Sequence, residues 1–196
     1  MNNAETTEPT TFDQGDVGRA ALGELIKCGR VSHCDERLLE KLLRRTLNHT
    51  PDWSLSLTSG VTATWFAGAA GWLPDLMAQT SAGAFAAGIE VKTRANINWG
   101  YYGSEVWQSQ LDRYADRVSE IGGEAAPLYL LVSSTNQAKV KTELAGTGDA
   151  EVRSKDRWEV ITLDKLLALA DPDPASRVTA NHPAVELLTS LLTDQP

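Results

Sequence analysis

Leu38, Leu39, Leu42, Leu43 and Leu47 recur at the three- and four-residue intervals that lay an apolar stripe along one side of a helix. The run that holds them, Cys34 to Leu47, has acids early and bases late, which suits a helix dipole, so it is expected to be a strong helix. A shorter helix is expected over Gly18–Lys27. The pattern then changes. Thr, Trp, Phe and Ala fill Val61–Gly68, and two apolar-rich runs, 72–80 and 84–92, flank Ser81-Ala82-Gly83; these read as a first strand leading through Gly71 into a β-hairpin. Trp107, Leu111, Tyr114, Val118 and Ile121 return to helical spacing and predict a helix over Ser104–Ile121. Pro127–Val132 reads as a buried strand, Gln137–Leu144 as a helix and Trp158–Leu163 as a further strand, with Asp164 capping a short helix through Ala170. Helices and strands that alternate after a hairpin imply an α/β fold, a central mixed β-sheet flanked by helices.

The two ends differ from this body. Residues 1–16 are polar, acidic and without period, the composition of a disordered tail. Asp171-Pro172-Asp173-Pro174 stops the preceding helix, and residues 171–196 are expected to be a helical extension, with Pro183–Leu192 packed on the domain or on a partner. A single domain over 17–170 suits a chain of 196 residues with 42% hydrophobic content. No apolar run approaches a membrane span, and the start lacks the basic and apolar regions of a secretion signal, so a cytoplasmic protein is expected. Cys28 and Cys34 alone cannot hold a four-cysteine cluster and agree with a reducing compartment; His33 beside Cys34 lacks the second pair of ligands that zinc needs.

The net charge of −8 argues against bulk electrostatic coating of nucleic acid, but much of it lies at the ends. Residues 1–16 carry −4 and residues 171–196 carry −3, which leaves a body close to neutral. Such a body with local clusters of bases can still hold a phosphate backbone, with strong salt dependence.

The chemistry concentrates in the hairpin. A two-residue turn at Ala82-Gly83 would pair residues whose numbers sum to 165, setting Asp75 opposite Glu90 and Leu76 opposite Ile89. Glu90 and Lys92 then project with Asp75, while Ile89, Val91 and Leu76 point to the other face. Two facing carboxylates repel, so they call for a divalent cation or for a strongly raised carboxyl pKa. One or two carboxylates with water and substrate phosphate suit Mg²⁺ or Mn²⁺, and the Val91 carbonyl could add a ligand. Lys92 would stand beside a scissile phosphate.

Pro74-Asp75, Glu90 and Lys92 resemble the signature of the PD-(D/E)XK nuclease superfamily, and Gln110-Leu111-Asp112-Arg113-Tyr114 is similar to the Gln-x-x-x-Tyr motif that follows it in RecB-like members. The resemblance covers Leu73 to Tyr114 by motif. It implies a restriction-endonuclease-like core and a metal-dependent deoxyribonuclease, with Asp75, Glu90, Lys92, Gln110 and Tyr114 as catalytic residues and Asp75, Glu90 and Val91 as metal ligands. Many members also turn a glutamate of the first helix toward the metal; Glu40, which interrupts the leucine stripe, fits that role, with Glu36 one turn earlier as the alternative. Pro51-Asp52 is a rival Pro-Asp pair, disfavoured because it has no facing register with Glu90.

Ala95–Gly103 reads as a recognition loop, with Trp99, Tyr101 and Tyr102 to stack on bases and Arg94, Arg113 and Arg117 to meet phosphates; for each ring, a place in the core is the competing reading. Lys139, Lys141, Arg153, Lys155 and Arg157 form a second basic region that is chiefly a solvated surface. No Walker sequence, dinucleotide fingerprint or nucleophile elbow is present. DNA is the expected partner, duplex, single-stranded or branched, with a homodimer or a protein partner as the possible assembly. The alternative is an inactive nuclease-fold module that binds nucleic acid or a protein in a defence, repair or phage system.

Overall fold

In the computed structural model, which describes residues 14–27, 36–69, 71–93, 97, 99–101, 107–146 and 151–168 (backbone alone at 26, 27, 99–101, 107, 167 and 168), the leucine stripe is buried as its spacing requires. Helix α1 (Gln14–Lys27) lies against α2 (Glu36–Asn48), so close at Gly18 that a Cβ there would meet Thr46 Oγ1 at 2.2 Å. The expected disordered tail thus stops short of Asp16: Gln14 accepts from the Arg45 guanidinium at 3.1 Å, and Asp16 pairs with Arg19, which draws these residues into the helix. Residues 1–13, the 171–196 extension, Cys28, His33, Cys34 and His182 lie outside the described residues.

A helix α3 (Pro51–Leu57) stands where the sequence pattern suggests only a connection. Proline opens it because the first turn needs no N–H, and the fully buried Trp53 anchors it. Asp52 of the rival Pro-Asp pair is exposed on that first turn.

The strands β1 (Thr64–Ala67), β2 (Leu76–Gln79) and β3 (Phe85–Lys92) run antiparallel. A small ribbon follows, β4 (Trp99–Tyr101) paired with β5 (Trp107–Ser109), then α4 (Gln110–Glu120), β6 (Leu128–Val132), α5 (Gln137–Leu144), β7 (Trp158–Thr162) and α6 (Leu163–Ala168). The main sheet has the order β1-β2-β3-β6-β7, with β6 and β7 parallel to β3, so it is a mixed five-stranded sheet flanked by helices.

Alternation along β3 divides two cores. Ile89 and Val91 join Leu76, Trp65 and the α1–α3 side chains on one face. Phe85, Leu128, Leu130 and Val132 join Leu111, Tyr114 and Val118 of α4 and Val140 and Leu144 of α5 on the other.

Three expectations are corrected. The helix expected from Ser104 starts at Gln110, because 107–109 pair with 99–101 and Ser109 is an extended N-cap whose Oγ accepts the Asp112 N–H at 3.0 Å. For the same reason the stretch expected to be a recognition loop holds strand β4. At α6 it is Thr162 Oγ1 that accepts the Lys165 N–H, at 3.4 Å, while Asp164 turns to Ser134.

The outer edge of the sheet at β1 is met by a side chain. Asn48 Nδ2 donates to the Trp65 carbonyl at 3.0 Å and Asn48 Oδ1 accepts the Trp65 N–H at 2.8 Å. No helix among the described residues is long and apolar enough to cross a membrane.

Candidate functional site

The hairpin reaches its register by a different route from the expected turn. Thr80 N–H donates to the Ala84 carbonyl and Gly83 N–H to the Thr80 carbonyl, both at 2.9 Å, closing a three-residue loop with Gly83 at φ 81. The pairs Ala78↔Ala87 and Gln79↔Phe85 leave Ala86 as an extra residue on β3. Loop and bulge cancel. Leu76↔Ile89 is the expected pair, and Asp75 stands opposite Glu90 just beyond it.

At that point the side chains replace the ladder. The Asp75 N–H donates to Glu90 Oε2 at 3.3 Å, and Asp75 Oδ2 accepts the Val91 N–H at 2.8 Å. Lys92 Nζ lies 2.7 Å from Glu90 Oε1, with side chains 8% and 1% exposed. Lys92 is thus the charged partner of Oε1, while Oε2 takes the Asp75 N–H. Two glycines let the segment close up. A Cβ at Gly68 would lie 1.7 Å from the Pro74 carbonyl, and one at Gly88 would crowd Leu128, Phe85 and Pro74. Pro74 is thereby wedged between β1 and β3, which aims Asp75.

The electrostatics answer how facing carboxylates coexist. Burial, then the charge of Asp75, pushes Glu90 up to about 8. Burial also raises Asp75, helped by the charge of Glu36 and opposed by the Val91 N–H and by Lys92. Burial works against the Lys92 charge, yet Glu90, Glu36 and Asp75 more than offset it and hold the ammonium above its ordinary value. Without a cation the repulsion is therefore relieved by a proton, carried by Glu90 and shared toward Asp75.

The strand end beyond Lys92 is clamped from both faces. Glu36 Oε1, at the start of α2, accepts the Thr93 N–H at 3.1 Å and its hydroxyl at 3.3 Å. Asn136, just before α5, donates to the Thr93 carbonyl at 2.9 Å. Glu36 is thus the helix carboxylate that the structure ties to the site; Glu40 lies half-buried one turn further along α2.

Across the site, Gln110 Nε2 donates to the Tyr114 hydroxyl at 2.6 Å. Tyr114 is both core and site. Its ring is buried, and burial together with the fields of Glu90 and Asp75 pushes its hydroxyl up to about 12. Arg113 lies over the Tyr114 ring at 5.2 Å, and Arg117 over the Trp72 ring at 5.1 Å while pairing with Glu120. Trp99 and Tyr101 are placed by backbone only, opposite Ser109 and Trp107, and Arg94 and Tyr102 lie outside the described residues. Ile97, just before β4, is buried in the α4–α5 core and donates its N–H to Glu143 at 2.9 Å.

Thr93 and Asn136, next to Lys92, and Trp72, next to Arg117, are neighbours of candidate residues that the sequence does not single out. The only signal for Thr93 is its place directly after Lys92; Asn136 and Trp72 gain their roles from tertiary neighbours.

Among the described residues no group of three or more His, Cys, Asp and Glu side chains is arranged to hold a metal ion. That excludes an all-protein cage from the described residues, whereas Asp75 and Glu90 supply the one or two carboxylates with which Mg²⁺ is held when water and phosphate complete its shell. The facing carboxyls of Asp75 and Glu90, each held above its ordinary pKa by burial, are the donor chemistry that such an ion would need. No protein-family model matches this chain, and neither a curated protein nor a solved structure matches it.

Proposed function

We propose that this chain is a metal-dependent nuclease that hydrolyses DNA phosphodiester bonds on a restriction-endonuclease-like core. The convergence of Asp75, Glu90 and Lys92 at the carboxyl end of β3, with Lys92 within 2.7 Å of Glu90, carries this reading. Asp75 and Glu90 hold Mg²⁺ or Mn²⁺. The chemistry supplied by such a bound ion is polarisation of the phosphoryl oxygen and a lowered pKa for its water.

The chain's own residues do the rest. Lys92 keeps a full positive charge in a buried place, where it stabilises negative charge on the phosphate far better than a solvated lysine. Glu36 and Asn136 fix the backbone at Thr93 and so the direction of Lys92. Gln110 orients the Tyr114 hydroxyl, which remains a neutral hydrogen-bond donor at any physiological pH. Site residues lie at the carboxyl end of a parallel strand, the usual ligand position in open α/β sheets.

The test is cleavage of plasmid and single-stranded DNA with Mg²⁺ or Mn²⁺. Loss of cleavage in EDTA and in Lys92→Ala is expected; wild-type rates in that variant refute the role. A second reading, an inactive module of the same fold, is favoured by the charge of −8. Metal-dependent cleavage by pure protein excludes it.

A further inference from the structure

The helices that cover one face of the sheet do not cover all of it. On the face of Asp75 and Glu90, α4 and α5 pack over β3 and β6, while Phe66 of β1, directly opposite Met77, remains 46% exposed. By alternation Phe66, Met77 and Asp75 share that face. The turn from β1 to β2 is closed by the Trp72 N–H donating to the Ala69 carbonyl at 2.9 Å, and it carries Trp72, 57% exposed, three residues before Asp75.

Trp72 is not a loose side chain. Arg117 stacks on its ring at 5.1 Å, which favours one ring orientation before any ligand arrives and lowers the ordering cost of binding. One face is taken by the guanidinium, and the rest of the ring is left to solvent. Ile121, one turn beyond Arg117, is a further exposed apolar side chain, 48% exposed. An aromatic plane beside a guanidinium, which here also pairs with Glu120, matches a ligand that presents flat bases along a phosphate backbone. Duplex DNA hides its base faces; a single strand offers them.

We propose that Trp72, backed by Arg117, is a stacking platform for an unpaired base, so that single-stranded DNA is the ligand threaded toward Asp75. This rests on the nuclease reading for its substrate, but the platform binds without metal and without cleavage.

The test is anisotropy of labelled oligothymidylate, oligouridylate and a blunt duplex titrated with the full chain in EDTA. Trp72→Ala is expected to weaken oligothymidylate binding by about 5- to 150-fold, the range for losing one base–aromatic stack. Trp72→Phe is expected to restore most of it, and duplex binding to change less. Trp72 is mostly exposed, so both variants should fold; circular dichroism checks this. Unchanged oligothymidylate binding by Trp72→Ala, an equal loss on the duplex, or preference for oligouridylate overturns the proposal. Cleavage of the same oligothymidylate in Mg²⁺ is scored separately: Trp72-dependent binding without cleavage removes the nuclease reading and keeps the platform, and cleavage with no dependence on Trp72 does the reverse.

Discussion

Glu90 and Asp112 are both buried acids, 1% and 2% exposed, yet they meet opposite kinds of neighbour. Asp112 is answered on both oxygens by neutral donors. Its Oδ2 accepts the Ser109 hydroxyl at 2.8 Å and its Oδ1 the Ser154 N–H at 2.7 Å, which ties the start of α4 to the segment before β7. Glu90 takes one neutral donor, the Asp75 N–H on Oε2, but otherwise faces a second carboxylate and a lysine 2.7 Å from Oε1. Burial alone therefore does not mark a working acid. An acid whose shell is closed by neutral donors holds structure, and an acid set against its own kind holds a capacity for a cation or a proton.

The greatest loss is expected from Lys92→Ala on the Glu90 side, which should lower cleavage by on the order of 10³-fold, since removal of one preorganised charge donor costs that much elsewhere. A plasmid-nicking time course reads it. Next is Glu90→Gln in metal-free protein. The Glu90 carboxyl is raised from 4.5 to about 8, so the folded state keeps a proton that the unfolded state loses, and stability falls as pH rises between those values. The contribution is fully present below pH 4.5 and gone above about 8. Urea melts should show Glu90→Gln more stable than wild type by on the order of 3 kcal/mol near pH 9, with the two similar near pH 4. A wild-type curve that stays flat over this range would count against the buried proton.

Asp112→Ala should behave in the opposite sense. It strands the Ser154 N–H and the Ser109 hydroxyl and should cost about 2 kcal/mol of stability in the same melts, with little change in cleavage by the folded fraction. The smallest effect is expected from Arg153→Ala. Arg153 is 64% exposed and approaches Asp112 and Asp116 only at 3.9 and 3.8 Å, so its loss should fall within about 0.5 kcal/mol. A larger loss would mean that an ion pair, not neutral donors, closes the shell around Asp112.

The hairpin shows what is readable from sequence and why. A two-residue turn is one residue too short, but Ile89-Glu90-Val91-Lys92 alternates so plainly that only one register buries Ile89 and Val91 beside Leu76, and the Ala86 bulge absorbs the difference. Helix α2 is legible for the same reason, a leucine period that only one burial pattern satisfies. The short elements are not. Nothing local in Pro51–Leu57 or Trp99–Tyr101 outweighs a loop, and each exists because of a partner distant in the chain: a buried place for Trp53, and the 107–109 backbone for β4. Glu36 and Glu40 lie on one side of α2 and cannot be ranked from spacing, because the choice depends on where β3 ends and presents Thr93.

The Asn48 amide at the sheet margin has a consequence for how copies of the chain can meet. By occupying both peptide groups of Trp65, it imitates one residue of an additional strand and leaves an incoming chain no ladder to extend at that point. Sheet continuation is blocked at that residue, so pairing of two copies along the β1 edge cannot run through Trp65. Asn48 thus acts as a stopper against the joining of one sheet to the next.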